Sequence, residues 1–441
     1  MTAEIVIMNK QAIALASDSA VTMTHEMGEK IKTSANKLFA LSKYHHVGIM
    51  IYNNADLMGI PWETIIKIYR NKLDKKGFDS LKEYADNFIT FLDNGNPLFS
   101  DSLEKEYLYF SVYGYFYFIE EQILENVELI ISEKQKITQD GIKKIISKII
   151  KEHYEKWRNT NSIPSIPDSH INEIMEKYGE TIEKVMYEVF QELPISKIHS
   201  DQLKEIAASL FSKFPDSIRT QNLSGVVFAG FGEKEVFPSI KAYEIEGIVN
   251  NKLKYRESLT DEISHKTDAS IIPFAQREMV DTFMQGIDPS YRNLEESYLN
   301  EIFNEFIDLS LNLQKTGKNY NKQKSKKILQ KSSEKIILDF QKKLENHRQE
   351  RYIDPVLSVV SMLSKDELAA MAETLVNLTS FKRKITMGSE TVGGPIDVAV
   401  ISKGDGFIWI KRKHYFKPEL NPQFFANYYK EEIKDDKEGK N

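Results

Sequence analysis

The 441-residue sequence has no cysteine, so disulfide bonds, thiolate metal sites and a cysteine nucleophile are excluded. It also lacks an apolar run of the length that spans a bilayer. The first residues, MTAEIVIMNK, lack the basic region and apolar block that mark a secretory signal. We therefore expect no membrane partner and a cytoplasmic location.

An excess of positive charge is absent as well. The chain carries 59 Lys and Arg residues against 65 Asp and Glu residues, so its formal net charge of −6 predicts no nucleic-acid partner. The histidines are scattered, and the nearest approach to a zinc-protease motif, HEMGE at 25–29, lacks the second histidine. We expect neither a metal nor another cofactor.

The sequence does contain an alternation of strand-like and helix-like regions. Short apolar runs separated by turn residues predict strands within 2–54, 224–247 and 397–413. Apolar residues at helical spacing predict helices within 56–220 and 276–384. Strand blocks separated by helix blocks favour an α+β fold in which helices cover antiparallel sheets.

The second helical region carries the clearest local signals. Residues 294–314 have an amphipathic pattern, and residues 364–384 begin with Ser364 and Glu367 at the spacing of a capping box. The basic stretch 318–327 predicts a loop or a solvated helix end.

The residue behind the initiator methionine is Thr2. Removal of Met1 would leave Thr2 with a hydroxyl and a free amine on adjacent carbons. The amine titrates near pH 8 and can accept the hydroxyl proton, so one residue can supply both nucleophile and base. A nearby positive charge would keep the amine neutral and would stabilise the developing alkoxide.

Two charged residues follow Thr2 next to the ends of predicted strands. Asp18, in DSAVT at 18–22, ends the second predicted strand, and Lys37, in SANKLF at 34–39, directly precedes the third. Taken singly, Thr2 is a common second residue, Asp18 fits an ordinary turn and Lys37 fits an ordinary solvated charge. A fourth predicted strand, within GIMIYNNAD at 48–56, ends in a short polar turn.

In this order and spacing, the residues resemble the β-type proteasome subunits, which belong to the N-terminal nucleophile hydrolases. The resemblance extends to AGFGEKEVFPSIKAYEIEG at 229–247 and to GSETVGGPIDVAVISKGDGFIWI at 388–410, together about half of the chain. It implies a four-layer αββα sandwich of antiparallel sheets.

The resemblance also implies a domain organisation. One proteasome-like domain would be built from about 2–75, 200–290 and 360–415. Helical insertions would occupy 75–200 and 290–360, and residues 416–441 would form a polar C-terminal tail.

The same resemblance implies roles for individual residues. Thr2 would be the nucleophile and, through its amine, the base, Lys37 would supply the positive charge, and Asp18 would orient Lys37. A backbone N–H of Tyr52 or Asn53 would stabilise the oxyanion. Thr22 would pair with the backbone of an extended peptide.

The sequence departs from the family pattern in three places. Tyr52-Asn53-Asn54 replace the glycines of the oxyanion turn. The family usually has a serine before its third helix that supports the threonine amine, and the corresponding position here falls near Ala275 or Gln276. A second supporting pair falls before the Gly-Gly turn, where Ser389 or Glu390 would have to substitute.

Three functions therefore stay open. The first is a threonine peptidase that acts on peptides or proteins as a homo-oligomer, fed by an ATP-dependent unfoldase. The second is an amidase of the same fold that acts on a small amide. The third is a catalytically silent scaffold that binds a partner through its helical insertions.

Overall fold

The computed structural model describes residues 2–25, 28–93, 95–134, 136–215, 222–313, 322–386, 393–423 and 426. The chain divides into two compact units. The first unit consists of Met1–Leu38 and Ile263–Asn441, and the second consists of Phe39–Glu262.

The strands in chain order are β1 (Ala3–Asn9), β2 (Ala12–Ser17), β3 (Val21–His25), β4 (Gly28–Lys32), β5 (Leu38–Ala40), β6 (Val47–Asn53), β7 (Asp56–Leu57), β8 (Ile60–Pro61), β9 (Ser224–Gly230), β10 (Ser239–Val249), β11 (Lys252–Glu262), β12 (Ala269–Ala275), β13 (Asp397–Ser402) and β14 (Gly406–Lys411). The α-helices are α1 (Trp62–Leu73), α2 (Leu81–Asp93), α3 (Asp101–Lys134), α4 (Gln139–Asn159), α5 (His170–Phe190), α6 (Lys197–Ser209), α7 (Glu278–Gln285), α8 (Pro289–Leu313), α9 (Lys322–Arg348), α10 (Asp354–Val360) and α11 (Lys365–Ile385).

The first unit contains a five-stranded antiparallel sheet in the order β12-β1-β2-β13-β14. Strands β1 and β2 are buried along their whole length, as their nearly unbroken apolar sequences predict. The turn between them is fixed by Asn9, whose Oδ1 accepts hydrogen bonds from the backbone N–H groups of Gln11 (2.9 Å) and Ala12 (3.2 Å). Strands β1 and β2 therefore form an antiparallel hairpin.

Helix α11 packs on β1, β2 and β13 and forms the core of the first unit. Small and aliphatic side chains fill this core, among them Leu368, Ala372 and Val376. The helix begins where the capping-box spacing predicts, because the backbone N–H of Ser364 donates to the Glu367 carboxylate at 2.9 Å.

The second unit contains another five-stranded sheet, in the order β11-β10-β9-β6-β5. Helix α2 packs on β9, β10 and β11. The core at this sheet combines aliphatic side chains with aromatic rings, and the ring of Phe88 contacts those of Trp62, Tyr69 and Phe228. Helices α3 to α6 form a separate cluster in this unit, built around Phe116, Ile150 and other apolar residues.

The sequence did not predict the short hairpins β3-β4 and β7-β8, nor two strands of the five-stranded sheets, β11 and β12. Both are edge strands, so each pairs with a neighbour on one side only. The sequence of β11, KLKYRESLTDE, keeps charged residues along its partly exposed length, and β12 contains Pro273. An edge strand tolerates proline and charge because its outer hydrogen-bonding groups need no partner strand, and this weakens the sequence signal.

Within the second unit, the ring of Tyr52 lies directly against the backbone of Gly225. A Cβ atom at position 225 would lie 1.9 Å from the Tyr52 ring. We predict that Gly225→Ala lowers the free energy of unfolding by about 1–3 kcal/mol, because the added methyl group forces the ring out of its packed position.

The matched control for this substitution is Gly114→Ala on α3, where an added Cβ meets nothing within 4 Å. It should raise the free energy of unfolding by roughly 0.5–1 kcal/mol, because alanine is the better helix former. Urea unfolding curves of the two variants and the wild type make the comparison. Equal shifts for both variants would contradict the close Tyr52–Gly225 contact.

Candidate active site

A buried ion pair lies in the first unit at the start of β1. The Nζ atom of Lys37 lies 2.6 Å from Oδ1 of Asp18, and their side chains are only 5% and 0% exposed. A lysine is rarely buried unless its charge is paired. The interpretation of Lys37 as a solvated charge is therefore wrong.

Asp18 accepts four hydrogen bonds, two at each carboxylate oxygen. Its Oδ1 accepts from Lys37 Nζ and from the backbone N–H of Ala3 at 3.1 Å. Its Oδ2 accepts from the backbone N–H groups of Ala20 at 3.2 Å and Gly393 at 2.9 Å. Four donors match the capacity of an ionised carboxylate. Asp18 thus ties together the start of β1, the segment that carries Lys37, and the turn at Gly393.

The neighbouring Ser19 fixes the same turn through its backbone. Its N–H donates to the Gly393 carbonyl at 3.1 Å, and its own carbonyl accepts from Ala35 N–H at 3.1 Å. Gly394 follows with a φ of 78°, and a Cβ atom there would lie 2.7 Å from the Thr33 carbonyl oxygen. This close approach and the positive φ require a glycine at position 394, the second residue of the Gly-Gly turn.

Thr2 immediately precedes β1 and is buried, with 1% of its surface exposed. Among the described residues its Oγ1 has no hydrogen-bond partner, whereas its carbonyl accepts from the Gln276 N–H at 3.1 Å. An unsatisfied buried hydroxyl costs about 1–3 kcal/mol, so it needs an explanation. Ala275, next to Gln276, is strained, with a φ of 58°.

Glu4 is a member of this cluster that the sequence analysis missed. It is 2% exposed and lies two residues after Thr2, a spacing at which side chains of a strand share a face. Its Oε1 lies 3.4 Å from Lys37 Nζ, yet neither carboxyl oxygen has a hydrogen-bond partner among the described residues. The signal was present in AEIVIMN, where Glu4 is the single charge of a buried strand.

Burial raises the pKa of the Glu4 carboxyl to about 8. The positive charge of Lys37 opposes this rise, the negative charge of Asp18 adds to it, and the Thr2 hydroxyl lowers the pKa to a smaller extent. Burial thus favours the neutral form of the Glu4 carboxyl in the folded protein.

The two residues predicted to supply the oxyanion N–H lie in the second unit, at the end of β6. Tyr52 is buried, and Asn53 is exposed and adopts a φ of 66°. The chain that follows is held by Ser224, whose hydroxyl lies 3.3 Å from the Asp56 carbonyl and accepts from Trp62 Nε1 at 2.9 Å. The oxyanion role stays a prediction.

The structure describes only some of the remaining predicted site residues. Thr22 lies in β3, opposite Ile31 of β4 in an antiparallel hairpin. Ser389 and Glu390 lie outside the described residues, as does Met1. The described part of the chain holds no group of three or more His, Asp or Glu side chains that could bind a metal ion. None of its helices combines the length and apolar character needed to cross a membrane.

No family model matches the chain, and no curated protein matches it. Among solved structures, it is similar to "Anbu (Gly-1) mutant from Hyphomicrobium sp. strain MC1" with a TM-score of 0.28 and 7% sequence identity. That match covers 99% of this chain and 96% of the other. A similarity at this level establishes neither a shared fold nor a shared function.

We predict that Asp18→Asn lowers the free energy of unfolding by about 3–5 kcal/mol, because it leaves the buried Lys37 charge unpaired. The amide NH₂ group of the new asparagine would also face N–H donors that now donate hydrogen bonds to the carboxylate, so those bonds would be lost. The control is Glu63→Gln, which breaks the exposed Glu63–Lys67 pair and should cost about 0.5 kcal/mol or less. Urea unfolding of both variants gives the comparison, and similar losses would mean that the Asp18–Lys37 pair is not buried.

Glu4 should make the stability of the protein depend on pH. Its folded pKa of about 8 lies above its ordinary value of 4.5, so the folded state binds the proton more tightly. The free energy of unfolding should therefore fall between pH 4.5 and 8, on the order of 1 kcal/mol per pH unit. Glu4→Gln removes this titration, so its stability relative to the wild type should rise from pH 5 to pH 8. Urea unfolding at both pH values measures the change, and a constant difference would contradict the raised pKa.

Proposed function

We propose that this protein is a threonine hydrolase of the N-terminal nucleophile type and that Thr2 is its nucleophile. The observation that carries the proposal is the buried Lys37–Asp18 pair, in which Asp18 accepts a hydrogen bond from the backbone N–H of Ala3, the residue directly after Thr2. The Thr2 hydroxyl is itself buried and has no hydrogen-bond partner among the described residues. The proposal requires Thr2 to be the first residue of the mature chain. It also implies the four-layer αββα arrangement of that family, with the helical insertions at 75–200 and 290–360 added to it.

The reaction would proceed through an acyl-enzyme. The Thr2 hydroxyl gives its proton to a base as its oxygen attacks the carbonyl carbon of an amide, and the carbonyl electron pair moves to the oxygen. The tetrahedral intermediate collapses, and the leaving amine takes up the proton. Water then attacks the ester and regenerates Thr2.

The fixed groups of the cluster suit this chemistry. The charge of Lys37 favours a neutral amine on Thr2 and stabilises the developing alkoxide. Asp18 holds Lys37 in place through its 2.6 Å contact. A backbone N–H of Tyr52 or Asn53 would receive the oxyanion.

The proposed substrate is a peptide or protein segment, bound as an extended strand along the hairpin that contains Thr22. Assembly into a homo-oligomer and feeding by an ATP-dependent unfoldase are part of the same proposal. An amidase that acts on a small amide would share the nucleophile and differ in the pocket.

The intact mass of the purified protein, with and without a peptide epoxyketone, tests this proposal. That probe needs both the hydroxyl and the free amine of one N-terminal threonine. We expect Met1 to be absent, one probe mass to be added to the wild type and to Thr2→Ser, and no addition to Thr2→Ala. Lys37→Met should lose at least about 90% of the adduct, because the charge that keeps the amine neutral is gone.

The matched control is Lys10→Met, which removes a lysine of the same unit from its partly exposed pair with Asp268. It should form the adduct like the wild type. Retention of Met1 would rule out the mechanism and favour the scaffold. Loss of Met1 without any adduct would favour an amidase with a differently shaped pocket.

A further inference from the structure

We propose that Glu4 is a catalytic acid–base group of this site, which accepts the Thr2 hydroxyl proton during attack and returns it to the leaving amine. This inference rests on the proposed function and adds to it a proton acceptor other than the amine of Thr2. It also gives a role to the buried Glu4 carboxyl, which has no hydrogen-bond partner among the described residues.

The hydrogen bonds of the cluster single out Glu4 among its carboxyl groups. Asp18 is saturated by four donors, so protonating it would break at least one of these bonds. Glu4 has two oxygens with no hydrogen-bond partner in the described structure, and the nearest charge is Lys37 Nζ at 3.4 Å. Glu4 can therefore gain or lose a proton without breaking the contacts that fix the site.

The position of Glu4 relative to the nucleophile supports the same role. Thr2 lies directly before β1 and Glu4 is the second residue of this strand, a spacing at which side chains of a strand share a face. Both residues are buried, and within the described structure the Thr2 Oγ1 and both Glu4 carboxyl oxygens lack a hydrogen-bond partner. A hydroxyl donor and a carboxyl acceptor that are both buried without such a partner are suited to proton transfer.

The charges around Glu4 set its proton affinity in the range that acid–base catalysis requires. The charged groups that face it are Lys37, which lowers its pKa, and Asp18, which raises it, and burial brings the pKa to about 8. A catalytic group is most effective when its pKa lies near the working pH, because both protonation states are then accessible.

The proposed steps balance in protons and electrons. Ionised Glu4 takes the hydroxyl proton while Thr2 Oγ1 forms the bond to the carbonyl carbon. Protonated Glu4 then gives this proton to the nitrogen as the C–N bond breaks. In the second half, Glu4 takes a proton from the attacking water and returns it to Thr2 Oγ1 as the ester bond breaks.

The experiment measures acylation of Thr2 by a peptide β-lactone, which needs the hydroxyl but not the amine, from pH 6 to pH 9 by intact mass. We expect the wild-type rate to rise through about pH 8. Glu4→Gln should acylate at least about 100-fold more slowly at pH 8.5 and should lose this rise, because general-base catalysis contributes about 10²–10⁴-fold. The control, Glu104→Gln, removes another buried glutamate with a raised pKa, on α3, and should behave like the wild type.

The outcomes separate the two proposals. If neither the wild type nor Thr2→Ala is acylated, the proposed function fails. If the wild type reacts and Glu4→Gln stays within tenfold of it, or keeps the rise through pH 8, Glu4 is not the base and the hydrolase proposal stands. If Glu4→Gln does not fold, Glu4→Asp decides: the midpoint of its rise must move from the wild-type value, and an unmoved midpoint overturns the role of Glu4.

Discussion

The first unit depends on the burial of one ion pair. Removing Lys37 and Asp18 from water costs several kcal/mol per ion, and the cost is offset only because Asp18 receives three backbone N–H groups besides the ammonium. Those N–H groups belong to Ala3, Ala20 and Gly393, which are far apart in sequence. The pair therefore holds the start of β1, the Lys37 segment and the Gly-Gly turn in one arrangement.

Stability alone is a poor reason for such a pair. Apolar side chains of similar volume in the same place often give equal or greater stability. The cluster adds two further costs: a Thr2 hydroxyl without a hydrogen-bond partner among the described residues, and a Glu4 carboxyl whose ionised form is disfavoured by burial. Three destabilising features in one cluster at the start of β1 are typical of a site whose geometry serves chemistry.

The sequence predicted the parts of the fold whose local chemistry is unambiguous. The apolar runs of β1 and β2 and the capping box of α11 follow from nearby residues, whereas the contact of Asp18 with Lys37 was implied only by the resemblance to the N-terminal nucleophile hydrolases. Edge strands β11 and β12 were not predicted, because a strand that pairs on one side only tolerates charged residues and a proline such as Pro273. Glu4 was not predicted as a site residue, because a single charged residue in an apolar strand does not show which side chains it will contact.

In the proposed mechanism, the balance of charges in the cluster connects the removal of Met1 with the ionisation of Glu4. Lys37 provides one positive charge for two carboxyl groups, Asp18 and Glu4, so the folded site favours the neutral form of Glu4. In the proposed mechanism, a free ammonium on Thr2 would add a second positive charge to the cluster and would stabilise the carboxylate of Glu4. Release of the Thr2 amine would then provide one base and favour the ionised form of a second base, Glu4, and the two groups would share one proton between them.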